Sequence, residues 1–478
     1  MSATTFDPRD DGLWSPKRRA LTGGLVLTIT LVAFEALAVS TVMPIVANEL
    51  GDQALYGWVF TAFFLGSLIG IAVVGGALDR GGLGRPFAIG LGLFAVGLLI
   101  GGLAPSMAVL VVARFIQGLG AGAIPPIAYV AIGRSLPEHL RPRMFATLST
   151  AWVLPGVIGP ALAGVVGEFL GWRYVFLGLL PLIAVAGLLT IRSVVAVPPS
   201  EVAAAAESAA VRAERRRLPY ALLVAFGAGL ITVGLTSGVP AATLAFVAVG
   251  LIALIPGVRR LTPAGTLVAR PVLPAAVLLR GVLTFMFFGI DAYVSLTLEA
   301  YRGLSAVAAG IALTAATVSW TAGSWIQARG SERWPTDRFV RAGYVVAILG
   351  LAAFALVLVP EVPVAWAVPS FAIAGLGMGL AYAPLSLIVL REASPQTQGH
   401  ASSALSLSDT LGTALGTGIS GAIIAASLRG SGGYGTGLAA AFGVAIAVGI
   451  GGLVLTGRLR APVARRGSAA APSVAETT

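Results

Sequence analysis

Residues 118–126 read Gly-Leu-Gly-Ala-Gly-Ala-Ile-Pro-Pro, and residues 375–384 read Gly-Leu-Gly-Met-Gly-Leu-Ala-Tyr-Ala-Pro. Each stretch lies inside an apolar run long enough to cross a membrane as one helix. Glycines spaced in this way let the backbones of neighbouring helices approach closely within a membrane. The repeated pattern therefore predicts that the chain is built from two similar helical halves.

The composition excludes a soluble fold and several kinds of chemistry. Of the 478 residues 57% are hydrophobic and 11% are charged, whereas a soluble domain carries about 25% charged residues. The chain has no cysteine, which excludes disulfides, zinc fingers, iron–sulfur clusters and thiol nucleophiles. Its one lysine, Lys17, follows no glycine-rich loop, so a Walker A site is excluded. We expect no cofactor, no metal and no nucleotide, and an ion gradient or a separate subunit as the energy source.

Fourteen apolar runs of about 20 residues are long enough to cross the hydrocarbon core of a bilayer. A second pair of similar stretches, 75–80 and 323–330, has the same offset as the first and pairs each span with the one eight spans later. The sequence thus predicts an all-α integral membrane protein with two six-helix halves and an extra hairpin between them. The predicted spans are 21–45, 54–77, 86–104, 106–133, 144–168, 174–195, 219–237, 240–257, 273–300, 304–326, 340–360, 364–390, 401–427 and 435–457.

The formal charge of +11 would suggest nucleic acid as a partner, but the placement of the charges argues against it. Threaded from a cytoplasmic N-terminus, the spans leave 26 basic residues inside, with Arg114 and Arg280 within spans and Arg173, Arg302 and Arg429 outside. This asymmetry satisfies the positive-inside rule. We expect a multi-pass protein of the inner (plasma) membrane, surrounded by lipid, with both termini cytoplasmic. The preference for arginine over lysine suggests a GC-rich bacterial genome.

The predicted spans divide the chain into six parts. A long polar connection rich in Ala, Glu and Arg separates the first half from the hairpin, and a short surface helix is expected there. The parts are a cytoplasmic N-terminus at 1–20, the first half at 21–195, a cytoplasmic linker at 196–218, an accessory two-helix hairpin at 219–258, the second half at 259–460 and a disordered cytoplasmic tail at 461–478.

Three motifs with glycine stand in the first predicted half. Asp79 lies at the cytoplasmic end of span two, where it can accept from a neighbouring helix N-terminus and lock an inner gate. The glycines of span five permit close packing, and Pro160 permits bending. A solvated charge pair and ordinary helix packing are the plain alternatives. The members are Gly75, Asp79, Arg80 and Arg85 after span two; Arg114, Gln117, Gly118 and Gly120 in span four; and Gly156, Gly159, Pro160 and Gly164 in span five.

These motifs resemble those of the major facilitator superfamily, and within it the fourteen-spanner drug:proton antiporters. The resemblance covers nearly the whole chain and includes Glu35, at the place where this family usually carries an aspartate. The chain departs from the family's pattern at Pro86, where a second basic residue is common, and at Ala163, where span five usually has a glycine. The resemblance implies a major facilitator fold with inverted repeats in each half, and a central cavity lined by spans one and four.

Three acidic residues lie deep within predicted spans, where a charge is costly and points to function. Glu35 and Arg114 both lie roughly 12 to 15 Å below the outer surface, so an ion pair between spans one and four is plausible. Asp291 lies in the first span of the second half, and Asp409 lies in span thirteen, a gating position that ranks it below the other two acids. We predict proton coupling by all four residues. A permanent salt bridge for the first pair, and helix capping or a bond to nearby Ser and Thr for Asp409, are the alternatives.

Aromatic residues on the predicted cavity helices could stack on an amphipathic substrate, although most are expected to serve packing. They are Phe34, Phe115, Phe288, Tyr293 and Tyr382. The sequence predicts a proton-coupled secondary transporter that exports small amphipathic molecules or drugs by alternating access. A proton symporter, or an exporter of one metabolite or lipid, is the alternative. An enzyme is opposed by the position of both histidines, His139 and His400, in cytoplasmic connections without a catalytic cluster.

Overall fold

The computed structural model describes residues 12–51, 55–80, 82–195, 207–236, 239–304, 306–394, 396–430 and 432–460. Within these ranges all regular secondary structure is helical. Most of the predicted N-terminal segment, the first part of the linker and the C-terminal tail fall outside the described residues, as do the side chains of Arg80 and Pro160.

Sixteen α-helices are present in the part of the chain that the structure describes. Short π-helical turns at Val166–Gly171 and Leu296–Tyr301 follow the sixth and eleventh of them. The helices are α1 (Arg19–Leu50), α2 (Tyr56–Arg80), α3 (Gly84–Gly102), α4 (Met107–Ser135), α5 (Arg141–Thr150), α6 (Val153–Val165), α7 (Arg173–Leu177), α8 (Leu179–Val195), α9 (Glu207–Thr236), α10 (Pro240–Leu261), α11 (Leu273–Asp291), α12 (Ala306–Gly330), α13 (Thr336–Ala355), α14 (Ala367–Glu392), α15 (Gln398–Arg429) and α16 (Gly433–Leu455).

The predicted count of fourteen spans is not supported. Among the described residues, twelve helical segments are long and apolar enough to cross a membrane, or thirteen if one bent pair counts as a span. The bent pair is the predicted span five, which turns by 43° between Gly159 and Leu162, the stretch that contains Pro160. Helix α12 is not among the twelve.

The helices pack as a first group (α1–α8) and a second group (α11–α16). In both groups the repeated glycine motif brings two helices together: α4 lies on α2, and α14 lies on α12. A Cβ atom added to Gly118 would lie 2.1 Å from the carbonyl oxygen of Phe63, and one added to Gly375 would lie 2.2 Å from that of Ala316. No larger residue fits at such a separation, so the glycines fix the helix spacing.

Helices α9 and α10 pack against each other beside the two groups. Leu68 and Ile71 of α2, Ala221 and Val224 of α9, and Leu407 of α15 form a separate apolar cluster, so α9 touches both groups. Helix α10 packs on α9, and most of its length is exposed. The predicted linker boundary at residue 218 falls inside α9, because the helix runs unbroken from the linker into the apolar span.

Several helix pairs join the groups, and we call two of these lines of contact together the interhalf seam: α2 with α15, and α5 with α12. On the first line, the Ser403 hydroxyl donates to the carbonyl oxygen of Ile71. On the second line, Ser324 Oγ donates to Ser149 Oγ at 3.1 Å, and Trp325 Nε1 donates to Thr150 Oγ1 at 3.0 Å. These contacts lie towards the end of the bundle where α2 ends and α15 begins, so the groups are closed together at that end.

Candidate functional site

A buried ion pair joins α1 to α4 in the first group. The side chain of Glu35 is fully buried, and Arg114 Nη1 donates to its Oε1. Arg114 also donates from Nη1 to Gln117 Oε1 at 2.6 Å, and its guanidinium lies 4.3 Å from the centre of the Phe63 ring. Because taking two charges out of water is costly, such a pair is retained only where its geometry compensates or its function requires it.

The hydrogen bonding of this pair is incomplete. Among the described residues, Glu35 Oε2 has no hydrogen-bond partner, and neither does Gln117 Nε2. A buried, ionised carboxylate normally has both oxygens satisfied, since an unpaired one forfeits its hydration. Among the described residues, Arg114 is therefore the one charged partner of Glu35.

A second buried ion pair joins α11 to α15 in the second group. Arg280 is fully buried, and its Nε donates to Asp409 Oδ1 at 3.1 Å. Tyr382 Oη donates to Asp409 Oδ2 at 2.8 Å. Asp409 thus has a charged partner rather than the Ser or Thr contacts considered from the sequence. The sequence places Arg280 within a span but does not predict its pairing with Asp409.

Asp291 differs from the other deep acids. It ends α11, where the helix breaks before the turn at Leu296–Tyr301, and its side chain is half-buried. In the described part of the chain it has no ion pair with the arginines of the two buried pairs. A supporting role in proton coupling stays a prediction.

Asp79 makes a contact between the two groups. Its Oδ1 accepts from the backbone N–H of Gly399 at 2.7 Å, and its Oδ2 accepts from that of His400 at 3.0 Å. These two amides begin α15, and a helix N-terminus favours a negative charge. Next to it, a Cβ atom added to Gly75 would lie 2.7 Å from Ser403 Cβ, so this glycine permits the close approach. Arg85 is exposed at the start of α3.

The span-five glycines do not form the close contacts expected of them. Cβ atoms added to Gly156 and Gly159 would lie 3.6 Å from Thr317 and 3.7 Å from Phe34, and one added to Gly164 would lie 4.0 Å from Thr41. These are ordinary van der Waals separations. The motif meets α1 and α12 but is not a point of unusually tight packing in this conformation.

The predicted cavity aromatics separate into two sets. The Trp320 ring contacts both Phe288 and Tyr382, with ring centres 6.2 Å and 5.2 Å apart, respectively. The Tyr382 hydroxyl donates to Asp409, so this row of aromatic rings ends at the acid. Phe34 and Phe115, by contrast, lie in the first group. Tyr293 Oη donates to the carbonyl oxygen of Thr417 at 2.7 Å, which fixes it within the second group. Trp320 was missed, although its place at mid-length in a serine- and threonine-rich helix could have indicated it.

Two groups of membrane helices with buried charges near their centre define a secondary transporter. The sequence profile of the Major Facilitator Superfamily matches residues 25–417, so the chain belongs to that family. It is a membrane transporter and not an enzyme.

Named relatives and solved structures agree with this assignment. A "probable multidrug-efflux transporter" of Mycobacterium tuberculosis is 27% identical over 445 residues, which cover 88% of this chain and 90% of the relative. The "multidrug efflux pump SdrM" of Staphylococcus aureus is 24% identical over 424 residues, covering 84% and 88%. The human organic anion transporter MFSD10 has a TM-score of 0.69 at 15% identity, over 92% of this chain and 99% of that one. The proton:xylose symporter XylE has a TM-score of 0.66 at 15% identity, over 92% and 96%, which shows a shared fold.

Proposed function

We propose that this transporter exports small amphipathic molecules, including drugs, in exchange for protons. The names of the relatives from M. tuberculosis and S. aureus support export of drugs. The observation that carries proton coupling is the buried pair of Glu35 and Arg114, with one carboxylate oxygen left without a partner.

The pair offers a simple coupling device. A carboxylate buried beside arginine is stabilised in its charged form by that arginine and in its neutral form by burial. Protonation of Glu35 removes the attraction between α1 and α4, while Arg114 keeps Gln117 and the carbonyl oxygen of Val59 as acceptors. Movement of the two helices would then change proton affinity, and the membrane potential would add about 2.3 kcal/mol per charge per 100 mV.

We further propose that the chain crosses the membrane fourteen times, in a 6 + 2 + 6 arrangement. Helix α12 is 25 residues long and packs on α14 as α2 packs on α4, which supports its crossing. The bent α5–α6 segment is the fifth crossing. In this proposal α9 and α10 are accessory, the halves are 21–195 and 259–460 with inverted repeats in each, and both termini are cytoplasmic.

The interhalf seam then closes the cytoplasmic side, so the described conformation faces outward. Asp79 of α2, which accepts from two backbone amides at the start of α15, would stabilise this closed state. Rocking of the two groups about the centre would open the seam and close the outer side.

The alternative is proton-driven uptake, or export of one metabolite or lipid. Transport into inside-out vesicles separates these possibilities, with ethidium and Hoechst 33342 as fluorescent probes. We expect an acidic vesicle interior to drive accumulation of a probe and a protonophore to abolish it. Accumulation driven by the opposite gradient would indicate symport, and accumulation indifferent to any proton gradient would refute proton coupling.

A further inference from the structure

Arg280 makes contacts beyond its ion pair, and one of them leaves its own group of helices. Within the second group, its Nε donates to Asp409, and its Nη1 donates to Ser386 Oγ at 3.3 Å. Its Nη2 donates to Tyr129 Oη at 3.2 Å. Tyr129 belongs to α4 of the first group, so a single guanidinium contacts an acid in one group and a phenol in the other.

The ring of Tyr129 is anchored in the first group. Its side chain is buried, and its ring packs edge-on against Phe145 of α5 with centres 5.4 Å apart. The hydrogen bond to Arg280 can therefore form only while the two groups are together at this depth. A buried charged donor that loses its acceptor is costly, so the bond favours the closed seam.

We propose that Tyr129 is a positioning residue that, through Arg280, makes the proton affinity of Asp409 depend on closure of the interhalf seam. This inference rests on the proposed alternation between two conformations. When the seam is closed, Arg280 donates from Nη2 to Tyr129 and from Nε to Asp409. The Tyr382 hydroxyl also donates to Asp409.

When the seam opens, the Nη2 donor of Arg280 is released and can turn to Asp409. A second charged donor stabilises the carboxylate, so Asp409 binds a proton less tightly in the open state. By linkage, protonation of Asp409 stabilises the closed seam by the same free energy by which closure of the seam stabilises the proton on Asp409. Protons are thus taken up from the outside and released on the cytoplasmic side, the direction that export by antiport requires.

The surroundings of Arg280 offer few competing groups. Among the described residues, the titratable side chains facing it are Asp409 from α15, Tyr382 from α14, Tyr344 from α13 and Tyr129 from α4. Helix α16, which also packs on α11, carries no Asp, Glu, Lys, Arg or His. Tyr344 is the natural control, because its hydroxyl donates to the carbonyl oxygen of Leu279 within the second group.

The test measures the seam directly. Because the chain has no cysteine, spin labels at R143C, on α5, and E392C, at the end of α14, report one distance between the groups. The doubly labelled protein, in lipid nanodiscs, carries Y129F, Y344F or neither change. We expect Y129F to lower the ratio of closed to open populations about tenfold, whereas Y344F, which changes a contact inside one group, leaves it as in the parent.

The pH dependence supplies the second readout. In the parent, the closed population should fall as pH rises. D409N should remove the part of this pH dependence that comes from Asp409. Y129F should shift the pH midpoint of this transition in the closed population. In a protein that already carries D409N, adding Y129F should not change the pH dependence. Equal distance distributions for Y129F and Y344F at every pH would overturn the inference. Failure of proton-driven flux in the parent would instead refute the proposed function, and it is measured separately in vesicles.

Discussion

At the scale of single residues, each group of helices buries one arginine against one carboxylate, but the two pairs differ in what surrounds them. Glu35 has an oxygen without a partner among the described residues, whereas both oxygens of Asp409 accept a hydrogen bond. The side chain of Asp409 is also 24% exposed, while that of Glu35 is fully enclosed. Glu35 is therefore the more sensitive of the two to a change in its single charged partner.

Asp79 makes a testable contribution at this scale. Its two oxygens accept from two backbone amides of α15, and D79N replaces one acceptor oxygen by a donor that would face an N–H group. Charge-assisted hydrogen bonds are worth about 1.5–3 kcal/mol, so we expect D79N to weaken the closed seam and impair transport while insertion stays normal.

Transport of ethidium by D79N at matched expression checks this prediction. D337N is the matched control, because Asp337 also lies at a helix end but pairs with Arg460 inside the second group. Turnover of D79N equal to that of D337N would reduce Asp79 to a surface charge.

At the scale of helices, the sequence predicted most positions well because a long apolar run leaves few alternatives. Its errors lie where hydropathy carries no information. Helix α1 continues to Leu50, past the predicted end at 45, because a helix does not stop where the membrane does. The Arg280–Asp409 pair was missed because a repeat offset relates equivalent positions, whereas this pair joins non-equivalent helices. Arg280 is the eighth residue of α11, and Asp409 is the twelfth residue of α15, counted from the same end of the bundle. Their similar depth could have indicated their contact.

The glycine motif of α4 gives a prediction for helix packing. A methyl group at Gly118 would meet the backbone of Phe63, which cannot move aside as a side chain can. We expect G118A to lower stability by about 1–3 kcal/mol, seen as a lower Tm in detergent. G92A is the control, since an added Cβ on this α3 glycine meets nothing within 4 Å. A Tm for G118A as high as that of G92A would contradict the packing argument.

At the scale of the whole molecule, the number of crossings decides how the two groups relate to the membrane. If α12 crosses, the residues before and after it lie on opposite sides. In this cysteine-free chain we expect G303C to react with an impermeant maleimide added to intact cells, and R333C to react only after permeabilisation. The left-handed backbone of Gly303 costs a cysteine about 1–2 kcal/mol, which the loop can bear. Reaction of both positions from one side would exclude the 6 + 2 + 6 arrangement.

Exchange of a proton for a substrate is also a property of the whole molecule, and it rests on Glu35. E35Q mimics the protonated acid, so it should abolish proton-driven export yet still permit substrate exchange without a gradient. E35D shortens the side chain by one methylene and should keep partial activity. E49Q is the matched control, because Glu49 lies on the same helix outside the membrane span, where its hydrogen bond from Arg173 lowers its pKa.

The most direct test is proton release on substrate binding, measured by a pH indicator when ethidium is added to purified protein in weakly buffered detergent solution. Antiport requires that ethidium displace a proton, so the parent protein and E49Q should both acidify the solution. E35Q should still bind ethidium, as followed by its fluorescence, but release fewer protons than the parent. Release by E35Q equal to that of the parent would contradict the coupling role of Glu35 and make Asp291 the first candidate.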